Sequence, residues 1–193
     1  VPSRPGRIGE SLVPTCAAAQ VAGIISPMSD PIEDRVRAVL ESTGVAHRLL
    51  DCDPALADTA EFCAAYGYSL DQSANTIVVA SKTDPPRLVA CVVLATSRLD
   101  VNGAVRKRLG VRKASFASAD DTVAATGMQI GGVTPFALPD DMEIWIDGEV
   151  ARRDEIILGG GSRSMKVLAP PAALLALASA TLVESLATPI PTA

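Results

Sequence analysis

Aromatic residues make up only 3% of this 193-residue chain, and it carries one histidine, His47. With so few rings available, Ala, Val, Leu and Ile must fill whatever core forms. A zinc site needs clustered Cys and His ligands. Cys16, Cys52, Cys63 and Cys91 show no CxxC spacing, and His47 stands apart from them. No metal and no cofactor is expected, and the thiols read as buried free cysteines of a protein in a reducing cytoplasm. No apolar run approaches the roughly 20 residues of a membrane span. The formal charge of -5 gives no global attraction to nucleic acid or to an anionic membrane. Any nucleic-acid contact must therefore come from a local patch. GxGxxG, GKS/GKT and GxSxG are all missing.

What is present is enough for one domain with a real core. Residues 1–28 are rich in Pro, Gly and Arg without periodicity and read as a flexible extension. The compact domain is expected over 29–187, starting near Met28, with a short tail at 188–193. Ser29-Asp30-Pro31 is a helix start, a capping side chain followed by proline in the first turn. Ile32, Val36, Val39 and Leu40 repeat at helical spacing up to Gly44. A strand follows at 46–50 and a helix from Asp58 or Thr59 to Gly67. TIVVA (76–80) and LVACVVLAT (88–96) flank the turn residues KTDPPR and read as a hairpin. The second strand is almost wholly apolar, as a strand buried on both faces would be.

Further on, the pattern predicts a short basic helix at 102–109, a strand at 115–117 and a helix at 118–126. Strands are expected at 142–147, 155–161 and 165–169, then a last helix over PPAALLALASA and a frayed ATPIPTA. The order predicts an α+β single domain with a mixed β-sheet flanked by helices.

Two glycine-rich stretches stand out, TGMQIGGVTPFALP (126–139) and GGGSRS (159–164). Each is either a simple turn or bare backbone that lets a ligand approach. Arg106, Lys107, Arg108, Arg112 and Lys113 put five cations into eight residues, which is either a solvated face or a place for phosphate. No aromatic stacking platform accompanies these residues, which argues against sequence-specific reading of single-stranded nucleic acid. Ser162 and Ser164 have only the distant His47 as a base. Asp120-Asp121 and Asp140-Asp141 read as a helix first turn and a loop. The residues alone supply no catalytic set.

QSANTIVVASK, ACVVLATSRLDVNGAVRKRLGVRKASFA, TGMQIGGVTPFALP and GGGSRSMKV, in that order, resemble the YbaK/ProX family of aminoacyl-tRNA editing domains. Thr126-Gly127 with Gly131-Gly132-Val133-Thr134-Pro135 matches that family's GxxxP loop. The likeness implies hydrolysis of the ester between tRNA and a wrong small amino acid, of the cysteine or alanine type. It also implies that water and the tRNA ribose hydroxyl act without an enzyme nucleophile. Gly131, Gly132, Val133, Thr134, Pro135, Gly160 and Gly161 would bind the substrate, and Arg106 to Lys113 would hold the acceptor end. A synthetase is a further partner.

The family lysine just before the first hairpin strand is replaced here by Asn75. Lys166 stands where some members carry Asp. Asn75 and Lys166 are therefore the expected polar groups at the ester. The rivals are a binding module for tRNA or a synthetase, and hydrolysis of another small ester or amide. A pocket in which Lys166 points at Asn75 favours the enzyme; a pocket closed by apolar side chains, or Lys166 in solvent, favours the silent role.

Overall fold

The computed structural model describes residues 30–191. The expected extension, the start near Met28, Ser29 and Cys16 lie outside the described residues. In chain order, α1 (Pro31–Ser42), β1 (Arg48–Asp51) and α2 (Thr59–Tyr66) precede the hairpin of β2 (Ala74–Ser81) and β3 (Leu88–Leu94). Then come β4 (Ser97–Leu99), α3 (Arg106–Leu109), β5 (Ala114–Phe116) and α4 (Ala119–Thr126). After the glycine-rich loop follow β6 (Glu143–Asp147), α5 (Gly148–Ala151), β7 (Ile156–Gly159) and β8 (Met165–Ala169). α6 (Ala172–Leu175), β9 (Ala180–Val183) and β10 (Ala187–Pro189) complete the described chain.

The apolar strand expected to be buried on both faces is β3, at the centre of a five-stranded sheet ordered β5-β2-β3-β6-β9. β2 runs antiparallel to β3 and β5, whereas β6 runs parallel to β3 and β9. Side chains alternate across a strand. Ala90, Val92 and Leu94 therefore enter one core, while Val89, Cys91 and Val93 enter another.

The first core is closed by Ile32, Val36 and Leu40 of α1 and by the inner face of a three-stranded sheet ordered β1-β8-β7. The second is closed by Val101, Val105 and Leu109 over Trp145. Each fully buried Val, Leu or Ile contributes roughly 1.5–3 kcal/mol. α2 packs Phe62 and Cys63 on the outer side of the small sheet, against Ile157 and Leu168.

The helix starts follow local chemistry. Asp30 accepts from Ile32 N at 3.0 Å, and Ser118 accepts from Asp121 N at 3.0 Å. Gly67 and Gly127 close α2 and α4 in the left-handed conformation.

Three expectations need correction. The segment 102–109 is not one α-helix: Asp100 accepts from Gly103 N and Ala104 N, a wide π turn spans Val101–Val105, and only Arg106–Leu109 is α-helical. The last helix is one turn, and Ala180–Val183 leaves it to extend the large sheet beside β6. The tail begins as a strand, because Ala187–Pro189 pairs with Ser97–Leu99. In the last two cases an alanine-rich or proline-containing segment reads as helix or coil locally, but an open sheet edge pairs with it.

Candidate functional site

A cavity forms where the two sheets meet at the start of β2. Ser73 pairs in parallel fashion with Ile157, and Ile157 N donates to Gln72 O at 2.8 Å, which brings β7 beside this end of β2. On the same edge β5 pairs only with Val79–Ser81, and Ala117 N reaches back to Val78 O. The edge between these contacts, around Thr76, is left open. A cavity of about 420 Å³ occupies the gap, within the range of small-ligand sites. The start of α2 and the loop at Ile130–Val133 complete its walls.

Lys166 and Asn75, far apart in sequence, both line this cavity. Lys166 is only 5% exposed. Its Nζ donates to Ala57 O at 2.5 Å and to Gly131 O at 3.1 Å, and lies 5.4 Å from the centre of the Phe62 ring. Burial pushes its pKa down, while Cys52 and Asp58 pull it back up. Burial likewise raises the thiols of Cys52 and Cys63, so these cysteines stay protonated and are poor nucleophiles. Asn75 Oδ1 accepts from Thr59 Oγ1 at 2.8 Å, which fixes the amide and leaves its NH2 without a protein partner among the described residues. Thr76, next along β2, also borders the cavity, but its side chain takes the opposite face of the strand from Asn75, and its Oγ1 is buried with no hydrogen-bond partner among the described residues. Two donor side chains, Lys166 and Asn75, thus share one pocket.

The glycine stretches have a different job from the one expected. Gly131 and Val133 line the cavity, but Gly132, Thr134, Pro135, Gly160 and Gly161 do not. Gly132 O accepts from Gly161 N at 2.7 Å, and Gly161 O accepts from Gln129 N at 3.1 Å. A Cβ on Gly132 would stand 2.1 Å from Ser162 O, and one on Gly160 would stand 2.7 Å from Met165 O. Gly132, and Gly159 whose Cβ would stand 2.5 Å from Gly132 O, therefore let the two loops pack backbone to backbone, whereas Gly160 lets the β7–β8 turn close on itself. Thr134 is buried beside Met128, whose Sδ accepts from Thr134 N at 3.3 Å, and Pro135 opens a short 3-10 turn. Gly131 is left-handed with φ 89°, which aims its carbonyl at Lys166.

Arg163 ties this assembly to α2. Its Nε donates to Pro54 O at 2.9 Å, and its Nη1 donates to Asp58 Oδ1 at 3.1 Å and Ile130 O at 3.2 Å. Asp58 holds the N-cap position of α2, yet its side chain makes no cap bond because it is turned to Arg163. Ser162 is no nucleophile: its Oγ donates to Glu33 Oε1 and accepts from Ser164 N. His47 lies outside the cavity, its Nδ1 paired with Val45 O at 2.9 Å. No group of His, Cys, Asp or Glu among the described residues is arranged to hold a metal ion.

The basic stretch lies at the far end of β5 from the cavity. Arg106 Nε donates to Asn102 O at 2.7 Å, and Arg108 lies 5.0 Å over the Trp145 ring. Arg112 and Lys113 join Lys82 and Thr83 around a shallow depression. Arg37, Arg48, Arg87, Arg152, Arg153 and Arg163 all form ion pairs. Arg106, Lys107, Arg108, Arg112, Lys113 and Lys82 form none among the described residues. Arg35, Arg98 and Lys166 are unpaired as well, so six of the nine cations without an ion pair among the described residues lie in this segment or at Lys82 beside it.

Sequence reading missed Thr59, Thr76, Arg163 and Phe116, all of which line or brace the cavity. Only Arg163 carried a local signal, its place inside GGGSRS. The others depend on which strand edge stays open.

Comparison with known proteins agrees with this architecture. Uncharacterized protein YwhH of Bacillus subtilis (strain 168) is 29% identical over 105 residues, 54% of this chain. The chain spans 64% of that relative's length. The crystal structure of hypothetical protein APE2540 superposes with a TM-score of 0.71 at 25% identity, covering 79% of this chain and 99% of that one. A protein proposed to be a trans-editing enzyme for prolyl tRNA synthetase gives 0.69 at 23% identity, over 81% and 98% of the two chains, and so shares the fold. Residues 53–177, which contain the whole cavity, match the aminoacyl-tRNA editing domain family, and the chain belongs to it.

Proposed function

We propose that the cavity hydrolyses the ester between tRNA and a small misattached amino acid of the cysteine or alanine type. The observation that carries this reading is the convergence of Lys166 and Asn75 on one pocket. Water oxygen attacks the ester carbonyl carbon, the carbonyl oxygen becomes an oxyanion, and the bond to the ribose oxygen breaks. That oxygen takes a proton, and free amino acid and tRNA leave. The enzyme's contribution is electrostatic: a fixed cation and a fixed amide donor where negative charge develops. Cavity walls of Ala57, Phe62, Val133 and Ile157 suit a small, weakly polar side chain. Gly131 and Val133 supply backbone to the ligand, with the remaining loop residues bracing them. Arg106, Lys107, Arg108, Arg112 and Lys113 attract the acceptor end, in the cytoplasm where tRNA is charged.

A second reading is a binding module for aminoacyl-tRNA or a synthetase. It is favoured by one feature: Lys166 is already engaged by two carbonyls, and Asp58, the carboxylate that lines the pocket, is paired with Arg163. Deacylation of Cys- and Ala-tRNA for proline by the purified protein, beside Asn75→Lys, separates the two. Cleavage above background by the natural protein is the expected result. Cleavage by the variant alone establishes the binding module, and silence from both folded proteins removes this substrate class.

A further inference from the structure

We propose that Phe116 is the stacking platform for the unpaired terminal nucleobase of the RNA whose ester enters the cavity. The inference rests on the editing reading and adds to it the residue that positions the nucleoside. The chain has three phenylalanines. Phe62 and Phe136 are each 1% exposed, as rings in a protein poor in aromatics should be, but Phe116 is 56% exposed. A single exposed apolar residue needs no explanation. This one, however, lines the cavity, and so does Ile130, itself 47% exposed on the glycine-rich loop. Together they give the cavity an apolar rim that no segment of the described chain covers.

Its place in the chain adds a second observation. Phe116 ends β5, an edge strand whose one partner is β2, with Phe116 opposite Val79. Lys113 precedes β5 directly and lies about 10 Å away along the strand at ~3.3 Å per residue. The unpaired cations of 106–113 therefore run into the ring, and the ring borders the pocket. A polyanion with an unstacked base at its end and an ester beyond it would meet these three features in order. Basic tracks combined with aromatic platforms are how proteins hold single-stranded ends. Because each base has a π-face, such a platform holds the end without reading sequence.

The test uses the full chain and uncharged tRNA carrying 2-aminopurine in place of the terminal adenine and a fluorophore at its 5′ end. Anisotropy of the fluorophore reports binding; 2-aminopurine emission reports stacking of the end. The natural protein is expected to change both signals. Phe116→Ala should lose the 2-aminopurine change and bind roughly tenfold or more weakly. Phe116→Trp should restore both. The ring is largely exposed, so the Ala variant should keep the native circular dichroism. If the natural protein binds without a change in 2-aminopurine emission, or if Phe116→Trp behaves like Phe116→Ala, the platform is wrong while the editing reading stands. If the natural protein gives no anisotropy change, both fail together.

Discussion

Lys166 Nζ lies 3.1 Å from Gly131 O, so the buried cation from β8 is held by the carbonyl of a left-handed residue in the glycine-rich loop. The contact joins β8 to the glycine-rich loop at the cavity. Replacing Lys166 with Met keeps the length of the side chain but removes the charge. The expected result is a fall in deacylation of about 10²–10³-fold, comparable to loss of an oxyanion donor. Single-turnover rates on the charged tRNA decide it, and an unchanged rate would remove Lys166 from the chemistry.

The same residue predicts a pH signature in stability. Burial holds the Lys166 pKa below its ordinary value, so between the folded and unfolded pKa values the native state binds fewer protons than the unfolded chain. Stability from this group then rises with pH across that window. Below it, the full cost of burying the charge is present. The unfolding free energy of the natural protein minus that of Lys166→Met should increase from pH 7 towards pH 10. Urea unfolding of both proteins measures it, and a flat difference would show that the lysine is not held down.

Thr76 should separate stability from activity. Its Oγ1 is buried with no partner among the described residues, a configuration that costs a native protein roughly 1–3 kcal/mol. Thr76→Val is expected to stabilise the fold by up to about 1 kcal/mol while slowing deacylation. A purely structural threonine would leave the rate alone.

Gly132 and Gly127 make a matched pair. A Cβ at Gly132 meets the Ser162 backbone at 2.1 Å, which neither loop can relieve by moving a side chain. Gly132→Ala should destabilise by about 3 kcal/mol or more. Gly127 has φ 71° but open space around it, so Gly127→Ala should cost only about 1–2 kcal/mol. Chemical denaturation ranks them, and the reverse order would contradict the loop packing.

The basic segment predicts salt dependence. Neutralising Arg112 and Lys113 to Gln should weaken tRNA binding and lower the slope of log affinity against log salt, by about one for each phosphate no longer neutralised. Arg152, already paired with Glu149 and Glu184, serves as the control. Equal effects from both would make the segment an ordinary solvated face.

By itself the sequence determined what depends on neighbours in the chain. Asp30-Pro31 and Ser118 start helices, Gly67 and Gly127 end them, and the apolar run of β3 marks the sheet centre, because caps, left-handed turns and alternation act over a few residues. The order of motifs also determined the family. Tertiary structure alone decided what depends on partners distant in sequence. An open edge beside β6 cut the expected last helix to one turn and took Ala180–Val183 as a strand. The two glycine stretches turned out to fit against each other, which no reading of either one separately contains. Only the closure of β7 beside β2 brought Lys166 within the same cavity as Asn75, and only the short pairing of β5 left Phe116 at its mouth. A pocket is made of the edges that pairing leaves over, and those edges exist only once the chain has folded.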